Sequence, residues 1–176
     1  MPLEIVIEDE RWQSLALEDL ANRAVGRVLD HLGLPVEDCE IALLACDDAR
    51  IATLNTEFRG KAVPTNVLSW PACDLAAAEE GDLPLKPEPD FTGEIALGDI
   101  AVSYDTCVRE ASEASKTPED HVTHLIVHGL LHLLGYDHIR DHDATLMEEL
   151  ETTILGSMGI NDPYMDSEGQ IGPDLE

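Results

Sequence analysis

Apolar positions change their period several times along the chain, and each change marks an element. Leu3 to Ile7 is a short run of strand length. From Ser14 to Leu32 the residues Leu17, Leu20, Ala21, Ala24, Val28 and Leu32 keep the spacing of one helix face, and Gly33 and Pro35 end that helix. Glu40 to Cys46 is a compact apolar run that reads as a second strand. Asp47 or Asp48 then caps a helix carrying Ile51, Leu54 and Phe58. Val67 to Trp70 and Glu94 to Ser103 read as two further strands, and Tyr104 to Ser115 as a helix. Thr117-Pro118-Glu119-Asp120 places a capping hydroxyl, a proline at the first helical position and acid in the first turn, so a new helix starts there. A last helix is expected from Asp143 to Leu155. The pattern predicts an α/β fold, a small mixed sheet of about four strands packed with helices.

Between the third and fourth strands, residues 71–93 hold Pro71, Pro84, Pro87 and Pro89 among acidic residues, which predicts a loop or insertion with freedom to move. With 176 residues, 44% of them hydrophobic, the chain can bury a real core. We expect one domain over residues 1–160 and a poorly ordered acidic tail over 161–176. The start of the chain is acidic where a signal peptide is basic, and no stretch is long and apolar enough to span a bilayer, so a cytoplasmic protein without membrane contact is expected. Cys39, Cys46, Cys73 and Cys107 form no C-x-x-C pair and are read as reduced thiols. The net charge of −27, from 37 acidic and 10 basic residues, repels polyanions at long range. Because physiological salt screens exposed charges beyond about 8 Å, a locally basic groove still works.

The candidate chemistry lies in the histidines. Six of the seven fall between His121 and His142. His128 and His132 stand four apart on the predicted helix, where Cβ atoms are about 5 to 6 Å apart, so both can turn a ring nitrogen onto one ion. Gly135 is placed to end the helix in the left-handed conformation and return the chain, which lets His138 supply a third ligand. Three neutral imidazoles plus water form a hydrolytic zinc arrangement. A structural site would be closed by a fourth ligand, for which His124 and His142 are the candidates. The skeleton His-x-x-x-His-x-x-Gly-x-x-His is shared with metzincin proteases, whose general base is the glutamate after the first histidine. Gly129 stands there, so protease chemistry would need Asp137 or Glu148 instead.

These residues, with Leu54-Asn55-x-x-Phe58-Arg59-Gly-Lys61, Pro64-Thr65-Asn66-Val67-Leu68-Ser69-Trp70, Leu97-Gly98-Asp99-Ile100, and Met147 with Glu151, make the chain resemble the YbeY family. The likeness covers roughly Ile41 to Leu155. It implies a metal-dependent endoribonuclease and ribosomal RNA maturation factor of bacteria. One Zn2+ would be held by His128, His132 and His138, with Arg59 facing the same cleft and single-stranded RNA as substrate. It further implies processing of the small-subunit rRNA 3′ end, ribosome quality control, and partners among small-subunit ribosomal proteins and an Era-like GTPase. The chain departs from the family's frequent Pro-Thr-Asp-Val-Leu-Ser-Phe at Asn66 and Trp70, and an amide cannot act as a base. Lys61 and Arg140 read as surface cations able to join Arg59 in a basic patch. Asp99 and Asp137 are candidate acceptors for a ligand imidazole. Two other readings remain: a metallopeptidase, and a non-catalytic assembly factor with a structural zinc.

Overall fold

A computed structural model of the chain describes residues 3–163. Four strands, β1 (Leu3–Ile7), β2 (Cys39–Cys46), β3 (Val67–Pro71) and β4 (Ile95–Ser103), form one mixed sheet in the order β1-β2-β4-β3. β1, β2 and β4 are parallel, while β3 lies antiparallel to β4 at the edge. Parallel neighbours need a crossover, and α1 (Leu17–His31) supplies it between β1 and β2. α2 (Asp48–Arg59) follows β2, and α3 (Tyr104–Glu113), α4 (Pro118–Leu133) and α5 (Asp141–Ser157) follow β4. The mixed α/β sheet of four strands is thus as expected. The first helix starts at Leu17 rather than Ser14. Residues Glu10–Leu15 wind as a separate 3-10 turn, and Ala16, at φ 50°, breaks the path between the two.

α4 is the central element. Thr117 Oγ1 accepts the Asp120 N–H at 3.1 Å, which satisfies one of the unpaired donors of the first turn. Beyond that turn the helix is buried on nearly all sides, as a helix apolar around most of its circumference must be. Gly129 lets it lie close on the sheet, since a Cβ there would meet Ile100 at 3.3 Å and Val67 at 3.4 Å. Leu125, Ile126 and Leu130 pack with Leu29 of α1 and with Leu43 and Ile100 of the sheet in the main core. On the opposite sheet face Ile51 and Leu54 of α2 cover Cys46, Leu68 and Ala101. Gly98 of β4 is required by the backbone of its neighbour: at φ 134° a Cβ would sit 2.1 Å from the Trp70 carbonyl oxygen.

The proline-rich segment between β3 and β4 has no regular element and is tied to the start of α5. Arg140 donates to the Ala77 and Ala78 carbonyls at 2.9 and 3.2 Å, Asp143 accepts the Gly81 N–H at 2.9 Å, and Glu80 accepts the His142 N–H at 3.0 Å. Arg140 therefore works as a strap and not as part of a basic patch. All four cysteines are unpaired. Among the described residues no helix is long and apolar enough to cross a membrane. Of the acidic tail, residues 164–176 lie outside the described residues.

Candidate functional site

α4 and the turn that ends it bring the three histidines together. After Leu133 the Gly135 N–H bonds to the His132 carbonyl at 3.0 Å and the Tyr136 N–H to the Leu131 carbonyl at 3.0 Å, with Gly135 at φ 98°. Such a reversal caps the last carbonyls of a helix and needs a residue without a Cβ penalty. It returns His138 over the last turn, where its ring centroid lies 5.4 Å from that of His128 and 5.1 Å from that of His132. One ring nitrogen from each of the three lies within 4.8 Å of the others.

The ring tautomers follow from the partners. His132 Nδ1 lies 3.0 Å from the Tyr136 carbonyl oxygen, which can only accept, so Nδ1 carries the proton. His128 Nδ1 donates to Glu151 Oε1 at 2.6 Å. Burial, then the neighbouring His128 and His138, push the His132 imidazole down to about 3, leaving it neutral near pH 7. His132 Nε2 then presents its lone pair, and His128 Nε2 lies 3.0 Å from it. Two ring nitrogens this close need a proton or a metal ion between them. Tetrahedral zinc, with bonds of about 2.0 to 2.1 Å, separates its nitrogens by roughly 3.3 to 3.4 Å. The donor set fits such an ion.

Glu151 of α5 is the functional residue that the sequence did not assign a role. It is fully buried, and its Oε1 also lies 3.4 Å from His124 Nε2. Burial alone would raise its pKa. Hydrogen bonds from His124 and His128 outweigh that and hold the carboxyl at about 2. Burial lowers the His124 pKa, so that ring is neutral as well. The available signal was Met147, which is buried and stands one turn earlier on the same helix face.

The other candidates are placed differently. His124 groups with His128 and Glu151 on the far side of the His128 ring, and exposed His142 belongs neither to that group nor to the three histidines, so neither closes the three-histidine group among the described residues. Asp99 is exposed on β4 and pairs with Trp70 in the sheet. Asp137 accepts the His138 N–H at 2.7 Å, which fixes the loop and not a ring. Asn66 donates its amide to Glu110 at 2.9 Å, and Glu110 also meets His121 Nε2 at 2.9 Å; an aspartate at 66 would face that carboxylate with like charge. Gly129 points at the sheet, so a glutamate there could not reach the histidines without displacing β3 and β4. Arg59, the last residue of α2, lines a cleft of about 220 Å3 with Ser69, Pro71, His132, Tyr136 and Asp137. Exposed Lys61 is not among the residues lining it.

The chain is similar to known proteins over nearly its whole length. A protein of Ruegeria pomeroyi named Endoribonuclease YbeY is 65% identical over 164 residues, covering 93% of this chain and 98% of that protein. A protein of the same name from Ruegeria sp. strain TM1040 is 63% identical over 169 residues, covering 96% and 99%. The solution structure of TM1509 from Thermotoga maritima shares the fold at 22% identity, with a TM-score of 0.54 over 96% of this chain and 99% of that one. The sequence pattern of the family described as Endoribonuclease YbeY matches residues 4–159, nearly all of the described chain, and the protein is a member of that family of hydrolytic nucleases.

Proposed function

We propose that the chain is a zinc-dependent endonuclease of single-stranded RNA whose ion is held by His128, His132 and His138. The observation that carries this reading is the convergence of one ring nitrogen from each of His128, His132 and His138 within 4.8 Å, in a group whose His132 shares its cleft with Arg59. When bound, such an ion acts as a Lewis acid and lowers the pKa of water from 15.7 toward about 7. Tyr136 and Glu151 hold the rings of His132 and His128 in register for it. Arg59 offers a forked pair of donors to the scissile phosphate and offsets the charge that grows on its oxygens. His138 is exposed, which leaves the group open to an incoming strand. The names of the relatives support RNA as the substrate. Maturation of the small-subunit rRNA 3′ end, ribosome quality control, a cytoplasmic location, and small-subunit ribosomal proteins and an Era-like GTPase as partners complete the proposal.

The test is elemental analysis of untagged wild type beside His132→Ala, with cleavage of a single-stranded RNA followed on the same samples. Near one equivalent of zinc, lost together with cleavage in the variant, is the expected result. Zinc bound without cleavage, even with ribosomal subunits added, would shift the reading to a structural zinc in an assembly factor. Absence of any transition metal in the wild type would sink it.

A further inference from the structure

The chain has two phenylalanines and two tryptophans, and one of each meets at the surface beside the candidate site. Phe58 is 60% exposed, Trp70 is part-buried, and their rings meet edge to face with centroids 5.3 Å apart. A single exposed apolar residue needs no explanation. The placement of this pair is different. Phe58 directly precedes Arg59 in the last turn of α2, and Trp70 lies in β3 between Ser69 and Pro71. Arg59, Ser69 and Pro71 all line the cleft that contains His132. Alternate residues of a strand face opposite sides, and β3 is the edge of the sheet. Ser69 and Pro71 thus face the cleft, while Trp70 shares the other side with Leu68. A nucleic-acid strand crossing this edge can keep a phosphate at Arg59 and lay the adjoining base on the exposed Phe58 ring, which Trp70 supports edge-on.

We propose that Phe58 and Trp70 form a stacking platform for an unpaired nucleobase next to the scissile phosphate. The inference rests on the reading of the chain as a ribonuclease and adds how it selects its substrate. Base stacking on aromatic side chains is sequence-tolerant and open only to bases released from a duplex. It also needs no positive charge. A chain with 10 basic and 37 acidic residues gains little from counterion release, the usual source of affinity for a polyanion. Stacking beside one arginine gives it a hold on RNA that its net charge does not oppose at contact.

The experiment titrates a 2′-O-methyl single-stranded oligonucleotide, checked by gel to stay intact, onto wild type, Phe58→Ala, Trp70→Phe and Trp70→Leu, following tryptophan emission. Trp12 is fully buried, so a change in emission reports on Trp70. In wild type the oligonucleotide should quench the emission and a blunt duplex should not. Phe58→Ala should weaken binding by about 5- to 150-fold, the range of one stacked base. It should also raise KM with kcat little changed and leave the thermal midpoint in place. Binding followed by anisotropy of the labelled strand should be kept by Trp70→Phe and lost by Trp70→Leu. A folded Phe58→Ala that cleaves with unchanged KM and unchanged single-strand preference overturns the platform and leaves the nuclease reading standing. Quenching in a wild type that cleaves no RNA overturns the place of the pair beside a scissile phosphate, together with that reading, and leaves only a stacking surface. Neither quenching nor cleavage overturns both.

Discussion

One carboxylate oxygen of Glu151 serves two imidazoles inside the core, at 2.6 Å from His128 Nδ1 and 3.4 Å from His124 Nε2. Its charge makes His128 a better donor toward an ion and fixes the ring that Nδ1 belongs to, the role such acceptors play around metals. Glu151→Gln keeps the size and one acceptor but removes the charge. Affinity for zinc should fall by about 10- to 100-fold, read by competition with a chromogenic chelator. Asp99→Asn, at an exposed position of β4, is the control and should leave that affinity unchanged. An equal loss in both variants would remove Glu151 from the metal centre. The contrast also shows what single residues in a sequence reveal. The three histidines were legible because helical spacing and a glycine break are local. Glu151 was not, because its partners lie 23 and 27 positions away on another helix, and only packing of α5 on α4 joins them.

At the scale of elements, the turn from α4 to His138 does three things with one backbone path. It satisfies the last carbonyls of α4, offers the Tyr136 carbonyl to His132, and returns His138. Gly135 carries this path, at φ 98°, and a Cβ there would lie 2.6 Å from the Leu75 carbonyl oxygen. Gly135→Ala therefore combines left-handed strain with a clash against backbone and should cost about 2 kcal/mol or more in urea unfolding. It should also weaken zinc binding, because His138 moves. Gly33→Ala shares the positive φ, 71°, but meets nothing within 4 Å, so it should cost only the conformational part, about 1 kcal/mol, and leave the metal alone. Equal effects of the two substitutions would count against the turn as the organiser of the site. Strand patterns were readable, and so were two helix caps, Thr117 and, as one of two candidates, Asp47. The strap across residues 72–94 was not. Arg140 read as a surface cation because the carbonyls it holds, Ala77 and Ala78, are distant in sequence and have no side-chain signature.

At the scale of the whole molecule, a large negative charge surrounds a core that buries neutral imidazoles, and the two respond to acid in opposite directions. The folded protein holds His132 at about 3 against an ordinary 6.5, and His124 is lowered in the same direction. Between those values the unfolded chain binds more protons than the folded one. Stability from these groups is therefore complete above about pH 6.5 and is lost as pH falls toward 3. Glu151, held at about 2 against 4.5, adds a loss of the same sign only below about pH 4.5. Surface carboxylates stay mostly ionised down to about pH 5, so self-repulsion from the 37 acidic residues changes little before then. In metal-free protein the thermal midpoint should accordingly fall between pH 7.5 and 5.5. Added salt should raise it at both pH values by screening the surface, without abolishing the fall, because buried groups are screened much less. In zinc-loaded protein the fall should coincide with release of the metal, since protons and zinc compete for the same Nε2 lone pairs. Calorimetry of both forms at two salt concentrations makes the comparison. A midpoint in the metal-free protein that rises or stays level from pH 7.5 to 5.5 would mean that relief of charge repulsion outweighs the buried histidines, and that the core tolerates their protonation.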